Sequence, residues 1–195
     1  MRLNLTSIFI VLIIVFSSCR KDFDTILSSG KLTFSKDTVY LDTIFTNIGS
    51  STYNLKVFNR SNNAISIPKI SLGKGENSFY RLNVDGVPGK SFENVEILAK
   101  DSMYVFIETT INYNEVVDPI YTDSIVFDSG ENLQDVNLIT LVKDAHFLYP
   151  SKNSEGIIET IPIGVTTEGK ELLVNGFYLT EYTTFTNEKP YVIYG

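Results

Sequence analysis

The 195-residue sequence contains one cysteine, one histidine and no tryptophan. A single Cys rules out an internal disulfide framework and a thiolate metal cluster, and a single His removes the imidazole pairs behind most catalytic and metal constellations. Positive charge is short as well. Sixteen Lys and Arg stand against 23 Asp and Glu, a formal charge of -7 and a pI near 4.7, which argues against a nucleic-acid binder with its basic footprint. No apolar run reaches the roughly 20 residues that a membrane-spanning helix needs. What is present is close to an ordinary globular mix, 43% hydrophobic and 20% charged, so the chain can bury a real core. The length suits one full domain plus a fragment, or two small domains.

The amino terminus reads as a processing segment. Arg2 is followed by an apolar stretch from Leu5 to Phe16 and then by Ser17, Ser18 and Cys19, a short hydrophobic core closed by small residues. Phe16, Ser17, Ser18 and Cys19 resemble the lipobox of bacterial lipoproteins. The resemblance implies a helical signal peptide over residues 1–18, cleavage before Cys19, and a diacylglyceride on its thiol. Two or more acyl chains hold a protein stably on a membrane, at about 0.8 kcal/mol per buried methylene. The acidic body gains nothing from anionic lipid, so the acyl chains alone would hold it. Arg20, Lys21, Asp22, Phe23 and Asp24 then resemble the charged export signal of surface lipoproteins in Bacteroidota-type envelopes; the plainer reading is a solvated linker over residues 19–30.

From Leu32 onward, short runs rich in Val, Ile, Thr, Tyr and Phe are broken by Gly, Asn, Asp and Ser clusters, the pattern of an all-β sandwich or barrel. The expected strands are Leu32 to Phe34, Val39 to Thr46, Tyr53 to Asn59, Ile65 to Leu72, Tyr80 to Val84, Phe92 to Leu98, Met103 to Ile111, Ser124 to Phe127 and Val136 to Lys143. Leu55 and Val57 alternate with Asn54 and Lys56, which puts one face in the core and the other in water. Met103, Val105, Ile107 and Ile111 form an inner face beside a mixed outer face of Tyr104, Phe106, Glu108 and Thr110. Around Pro68 the apolar phase changes, and proline cannot donate to a ladder, so a bulge or an edge is expected there.

The run Leu55, Lys56, Val57, Phe58, Asn59 and the turn Ile97 to Ser102 before the Met103 strand resemble the immunoglobulin-like sandwich of the ASPM, SPD-2 and Hydin type. The resemblance covers about residues 32 to 143 and implies an immunoglobulin-like antiparallel β-sandwich over residues 31–148. With the lipobox, the chain resembles the amino-terminal part of surface lipoproteins of uncharacterised role in Bacteroidota. Residues 149–195 read as a linker and the start of a second β-domain, with strands at Ile157 to Val165, Glu171 to Thr180 and Tyr191 to Tyr194 and a turn at Glu168, Gly169 and Lys170. Roughly 40 residues seldom stabilise a domain alone. Either the rest of that domain lies beyond Gly195, or these strands pack on the sandwich.

Few motifs carry chemistry. Gly86, Val87, Pro88, Gly89, Lys90 and Ser91 imitate the end of a phosphate-binding loop, but Val84 stands where the first Gly belongs and a strand follows instead of a helix. Asp85 to Gly89 therefore reads as a turn. Glu93 and Glu96 lie an odd number apart on one expected strand, which would point them to opposite faces and prevent them from flanking one glycosidic bond. Asp118, Asp123, Asp128, Glu131 and Asp135 lack the spacing of a calcium loop and read as solvated charge. His146, two residues after Asp144, has no serine elbow to serve and reads as a surface or linker residue. Aromatic rings can stack on sugars, and Tyr113 and Tyr121, flanking Pro119, are the ligand-contact candidates; Tyr178, Tyr182 and Tyr191 lie in the tail.

The sequence thus points to a lipid-anchored cell-envelope protein of the outer membrane, non-enzymatic, acting as a spacer or protein-interaction module. No cofactor, metal or nucleic acid is expected, and the partners are the membrane through Cys19 and an envelope protein or glycan. Two other readings stand beside it: a carbohydrate-binding accessory lipoprotein, and the anchor region of a larger surface protein whose catalytic part lies further on.

Overall fold

The computed structural model describes residues 24–179 and 183–193. The signal peptide, Cys19, the charged segment after it as far as Phe23, and Tyr182 lie outside the described residues. Among the described residues there is no α-helix; fifteen strands and three single 3-10 turns account for the regular structure. In chain order the strands are β1 (Ile26–Leu27), β2 (Thr33–Phe34), β3 (Thr38–Phe45), β4 (Tyr53–Phe58), β5 (Ile65–Leu72), β6 (Tyr80–Val84), β7 (Val87–Gly89), β8 (Ser91–Ile97), β9 (Ser102–Thr109), β10 (Ile120–Phe127), β11 (Gln134–Lys143), β12 (His146–Leu148), β13 (Thr160–Val165), β14 (Glu171–Asn175) and β15 (Tyr191–Ile193).

Two sheets form an all-β sandwich with immunoglobulin-like alternation of the chain between layers. One has the order β1-β5-β10-β11-β3, with β8 on the other edge of β5; the second has the order β2-β4-β9-β6-β7. Alternation along each strand builds the core. Leu55 and Val57 of β4 and Val105 and Ile107 of β9 are fully buried, in one cluster with Ile67, Ile70, Ile125 and Leu138 of the opposite sheet. The sandwich is not wholly antiparallel. The strand β3 runs parallel to β11, Thr38 against Asn137, and β1 runs parallel to β5, Ile26 against Ile65. Pairing β3 to the last sandwich strand gives β11 a partner on each side and leaves β3 as the edge.

Local chemistry explains the departures from simple alternation. Pro68 falls where the neighbour of β5 changes from β1 (at Ile65 and Ser66) to β10 (at Ile70 to Leu72), so its missing N–H costs no ladder bond. Across from it, Asn94 adopts φ of 53°, a left-handed conformation that Asn tolerates better than most residues. The register of β5 with β8 is the same on both sides of this pair, so both strands change phase together. Phe92 and Ile97 both turn inward. Glu93 and Glu96 consequently both face solvent along one shallow depression, which corrects the parity argument that sent them to opposite faces.

The stretch Asp85 to Gly89 is likewise only partly a turn. Asp85 and Gly86, at φ of 51° and 81°, make a two-residue hairpin bend of the kind that demands positive φ twice. Val87 to Gly89 already pair back onto β6. The amino-terminal strap is fastened by polar contacts. Ser28 Oγ donates to Asp128 Oδ2 at 2.7 Å, and the Gln134 side chain accepts from the Leu32 N–H at 2.9 Å while donating to its carbonyl at 3.0 Å.

Beyond the sandwich the strands form two small separate ladders, β12 with β15 in parallel and β13 with β14 antiparallel. Thr166, Gly169 and Lys170 close the β13–β14 bend, with the Thr166 N–H donating to the Lys170 carbonyl at 2.8 Å. Lys189 pairs with Asp144 at the sandwich end, and the His146 ring lies 4.9 Å from that of Tyr191. Residues of β14 are exposed along its whole length.

Candidate functional site

The ring pair chosen from the sequence does not survive as a surface. The strand β10 starts at Ile120, earlier than expected, so Tyr121 is a strand residue with the same inward parity as Ile125 and Phe127. It is only 8% exposed. Its hydroxyl accepts the Phe79 N–H at 3.1 Å, and the rings of Phe79 and Tyr80 lie 5.1 and 5.3 Å from its own. Lys74 Nζ lies 4.1 Å from the ring centroid. Tyr121 is core, not a ligand contact. Tyr113 begins a 3-10 turn and packs half-buried against the core, its N–H donating to Thr46 Oγ1 at 2.9 Å.

Two of the acidic loop residues accept from backbone N–H groups. Asp118 caps the Ile120 N–H at 2.8 Å, and Asp123 Oδ1 accepts from the N–H groups of Lys74 and Ser124. No group of three metal-ligating side chains converges among the described residues. Asp144 is held below the usual carboxylate range by the Lys189 ammonium, and its role is to tie the tail segment to the sandwich.

Two surfaces remain that packing does not explain. The first is the outer face of the second sheet. The rings of Tyr104 and Phe106 on β9 are 47% and 42% exposed and stand 6.1 Å apart, tilted by 20°. Lys56 Nζ sits 5.1 Å from the Tyr104 ring and 5.4 Å from that of Phe58, and the Arg60 guanidinium lies 4.2 Å over Phe58. The register sets Asn54 and Asn83 on either side of Phe106. Beside it opens a depression of about 430 Å³ lined by Arg81, Asn83, Pro88, Lys90, Phe106 and Glu108. Glu108 lies below the usual carboxylate range because the Thr52 hydroxyl and the Arg81 guanidinium both donate to it. These rings were legible in the sequence as the outward partners of Val105 and Ile107; the alternation alone marks two aromatics facing water.

The second surface is the β13–β14 hairpin. Leu172 and Val174 fall on one face and Leu173 on the other, and all three are more than 40% exposed, as are Ile163 and Val165. Apolar side chains on both faces are the mark of a strand pair built to be covered on both sides.

No family model and no curated protein matches the sequence. Solved structures with a similar arrangement include a family 123 glycoside hydrolase from Clostridium perfringens, with a TM-score of 0.40 and 12% identity. A protein of unknown function from Porphyromonas gingivalis W83 gives a TM-score of 0.41 and 12% identity, and the periplasmic chaperone SfaE 0.35 and 12%. They match 57%, 62% and 57% of this chain, which spans 25%, 54% and 56% of theirs.

Proposed function

We propose that the protein is a lipid-anchored, non-enzymatic spacer of a Bacteroidota-type outer membrane that presents its β13–β14 hairpin to further β-structure. The hairpin carries the reading. A two-stranded ladder with solvent on both faces is marginal in water, yet this one holds Leu172, Leu173, Val174, Ile163 and Val165 exposed on its two strands. Such a patch marks an interaction surface. The sandwich itself needs no such cover, because its core residues are already buried within the described chain.

The amino-terminal strap supports the anchor. The described contacts begin at Ile26, whose N–H donates to the Ala64 carbonyl at 3.0 Å, only a few residues after Cys19. A diacylglyceride on Cys19 would therefore tether the sandwich to the bilayer through the few residues between Cys19 and Ile26.

Hydrogen exchange on the lipidated protein in isolated envelopes, against the same protein purified in detergent, tests the reading. The amides of β13 and β14 are expected to be protected in envelopes and to exchange fast once purified. Equal fast exchange in both states refutes the covered hairpin. Metabolic labelling with palmitate tests the anchor separately: label on the natural chain and none on Cys19→Ser is expected, and an unlabelled natural chain refutes lipidation.

A further inference from the structure

We propose that the outer face of β4, β9 and β6 is a binding site for an acidic polysaccharide, with sugar rings against Tyr104 and Phe106 and sugar carboxylates against Lys56, Arg60 and Lys90. The site stands on different residues from the hairpin and does not depend on it.

The argument starts from what a sheet face in water is expected to carry. Isolated exposed aromatics are ordinary, but here two stand two residues apart on a central strand. They are bounded by amides on the neighbouring strands, Asn54 and Asn83, and by cations. The apolar faces of pyranose rings present C–H groups that suit an aromatic surface, and their hydroxyls suit short polar side chains held at its rim. The depression beside Phe106 has that composition: one ring, Pro88, an amide, and the Arg81–Glu108 pair at 3.3 Å. Its volume of about 430 Å³ lies within the range of small-molecule sites.

Charge decides the class of sugar. In a protein of net charge -7, this face gathers Lys56, Arg60, Arg81 and Lys90 around the rings against Glu108 and the turn residue Asp85. Arg81 is engaged by Glu108, whereas Lys56 and Arg60 are held over rings, with no carboxylate bonded to either among the described residues. A cation parked on a π face keeps its other side free for an anion. Lys90 lines the depression, and its ammonium donates to the Glu76 carbonyl at 2.7 Å.

A single strand of nucleic acid also pairs rings with cations. The acceptors here argue against it. The Glu108 carboxylate, 42% exposed beside the rings, accepts from donors, which sugar hydroxyls supply and a phosphodiester backbone does not.

Isothermal titration of the full chain in detergent with alginate, hyaluronate and polygalacturonate oligosaccharides tests the proposal. At least one is expected to bind, with affinity falling as salt is raised because the cations are exposed. Phe106→Ala and Tyr104→Ala should each weaken binding about tenfold, equivalent to about 1.4 kcal/mol, with an unchanged circular dichroism spectrum. Tyr113→Ala should leave it unchanged. Failure of all three oligosaccharides to bind at millimolar concentration overturns the site, as does binding untouched by both ring substitutions. Neutral dextran bound equally well overturns the charge argument. Tighter binding of oligo-dT overturns the glycan class.

Discussion

Replacing Tyr80 with Phe probes how the two sheets are joined. Tyr80 lies on β6 with no exposed surface, and its hydroxyl reaches across the sandwich to within 2.9 Å of Thr140 Oγ1 on β11 and 3.2 Å of the Tyr121 carbonyl on β10. With one proton to give, the phenol donates to the carbonyl and accepts from the Thr140 hydroxyl. The Tyr80→Phe change keeps the ring and opens no large cavity. It leaves two buried polar groups short of a partner, one of them on fully buried Thr140, at a cost of about 1–3 kcal/mol. In urea unfolding followed by circular dichroism, the midpoint should fall with the slope unchanged. A pH arm follows from the same geometry. Burial pushes the Tyr80 hydroxyl well above the ordinary tyrosine value of 10.0. The folded state therefore favours the neutral phenol, so this contribution is complete below pH 10 and is lost as pH rises beyond it. The natural protein should lose stability above pH 10 more steeply than the Phe variant. Combining Tyr80→Phe with Thr140→Val should cost less than the two changes summed, since both remove one contact. Equal midpoints for Phe and Tyr at neutral pH, or equal alkaline slopes, would refute the reasoning.

Three further perturbations follow from single positions. Asn59 is buried, donating through Nδ2 to the carbonyls of Asn63, Ile97 and Leu98 and accepting the Ser61 N–H at 3.0 Å. Asn59→Ala should cost about 1–3 kcal/mol, and Asn59→Asp more, because it turns a donor toward three carbonyls into an acceptor; thermal unfolding checks the order. Gly30 sits at φ of 67°, and a side-chain carbon added there would stand only 2.9 Å from the Asn132 backbone, so Gly30→Ala should destabilise by more than about 1 kcal/mol, read by the same urea titration. Leu173→Lys on the exposed hairpin should change the stability of the purified protein by less than about 0.5 kcal/mol, read by the same urea titration, while lowering the amide protection of β13 and β14 in isolated envelopes.

Much of the sandwich was legible because alternation states which face a residue takes. The bounds of β5 and β6 fall where the sequence placed them, and Val105 and Ile107 turn inward as their spacing requires. Alternation says nothing about which strand lies alongside, so the parallel pairing of β3 with β11 and of β1 with β5 was hidden. It also assumes an unbroken period of two. Asn94 in the left-handed region resets that period, which is why Glu93 and Glu96 share a side. Tyr121 was misplaced for a different reason: Pro119 marked a loop, yet the parity of Tyr121 with Ile125 and Phe127 already extended the strand back to it. The outer-face rings were visible by the same parity.

The hairpin and the sandwich differ in how burial offsets the cost of order. Ordering a residue's backbone costs about 1–2 kcal/mol, and the sandwich offsets that with side chains such as Leu55, Ile107 and Phe127 that lose all contact with water. The strands β13 and β14 order eleven residues between them, and their apolar side chains remain largely in solvent. Local opening of such a unit lies at the low end of the stability range. On the proposed reading most of its order would come from the β-structure that covers it, with part of the gross contact energy going into holding the strands in register. Contact with a partner would for that reason be reported by a large change in amide protection confined to β13 and β14, with β4, β5, β9 and β10 unchanged.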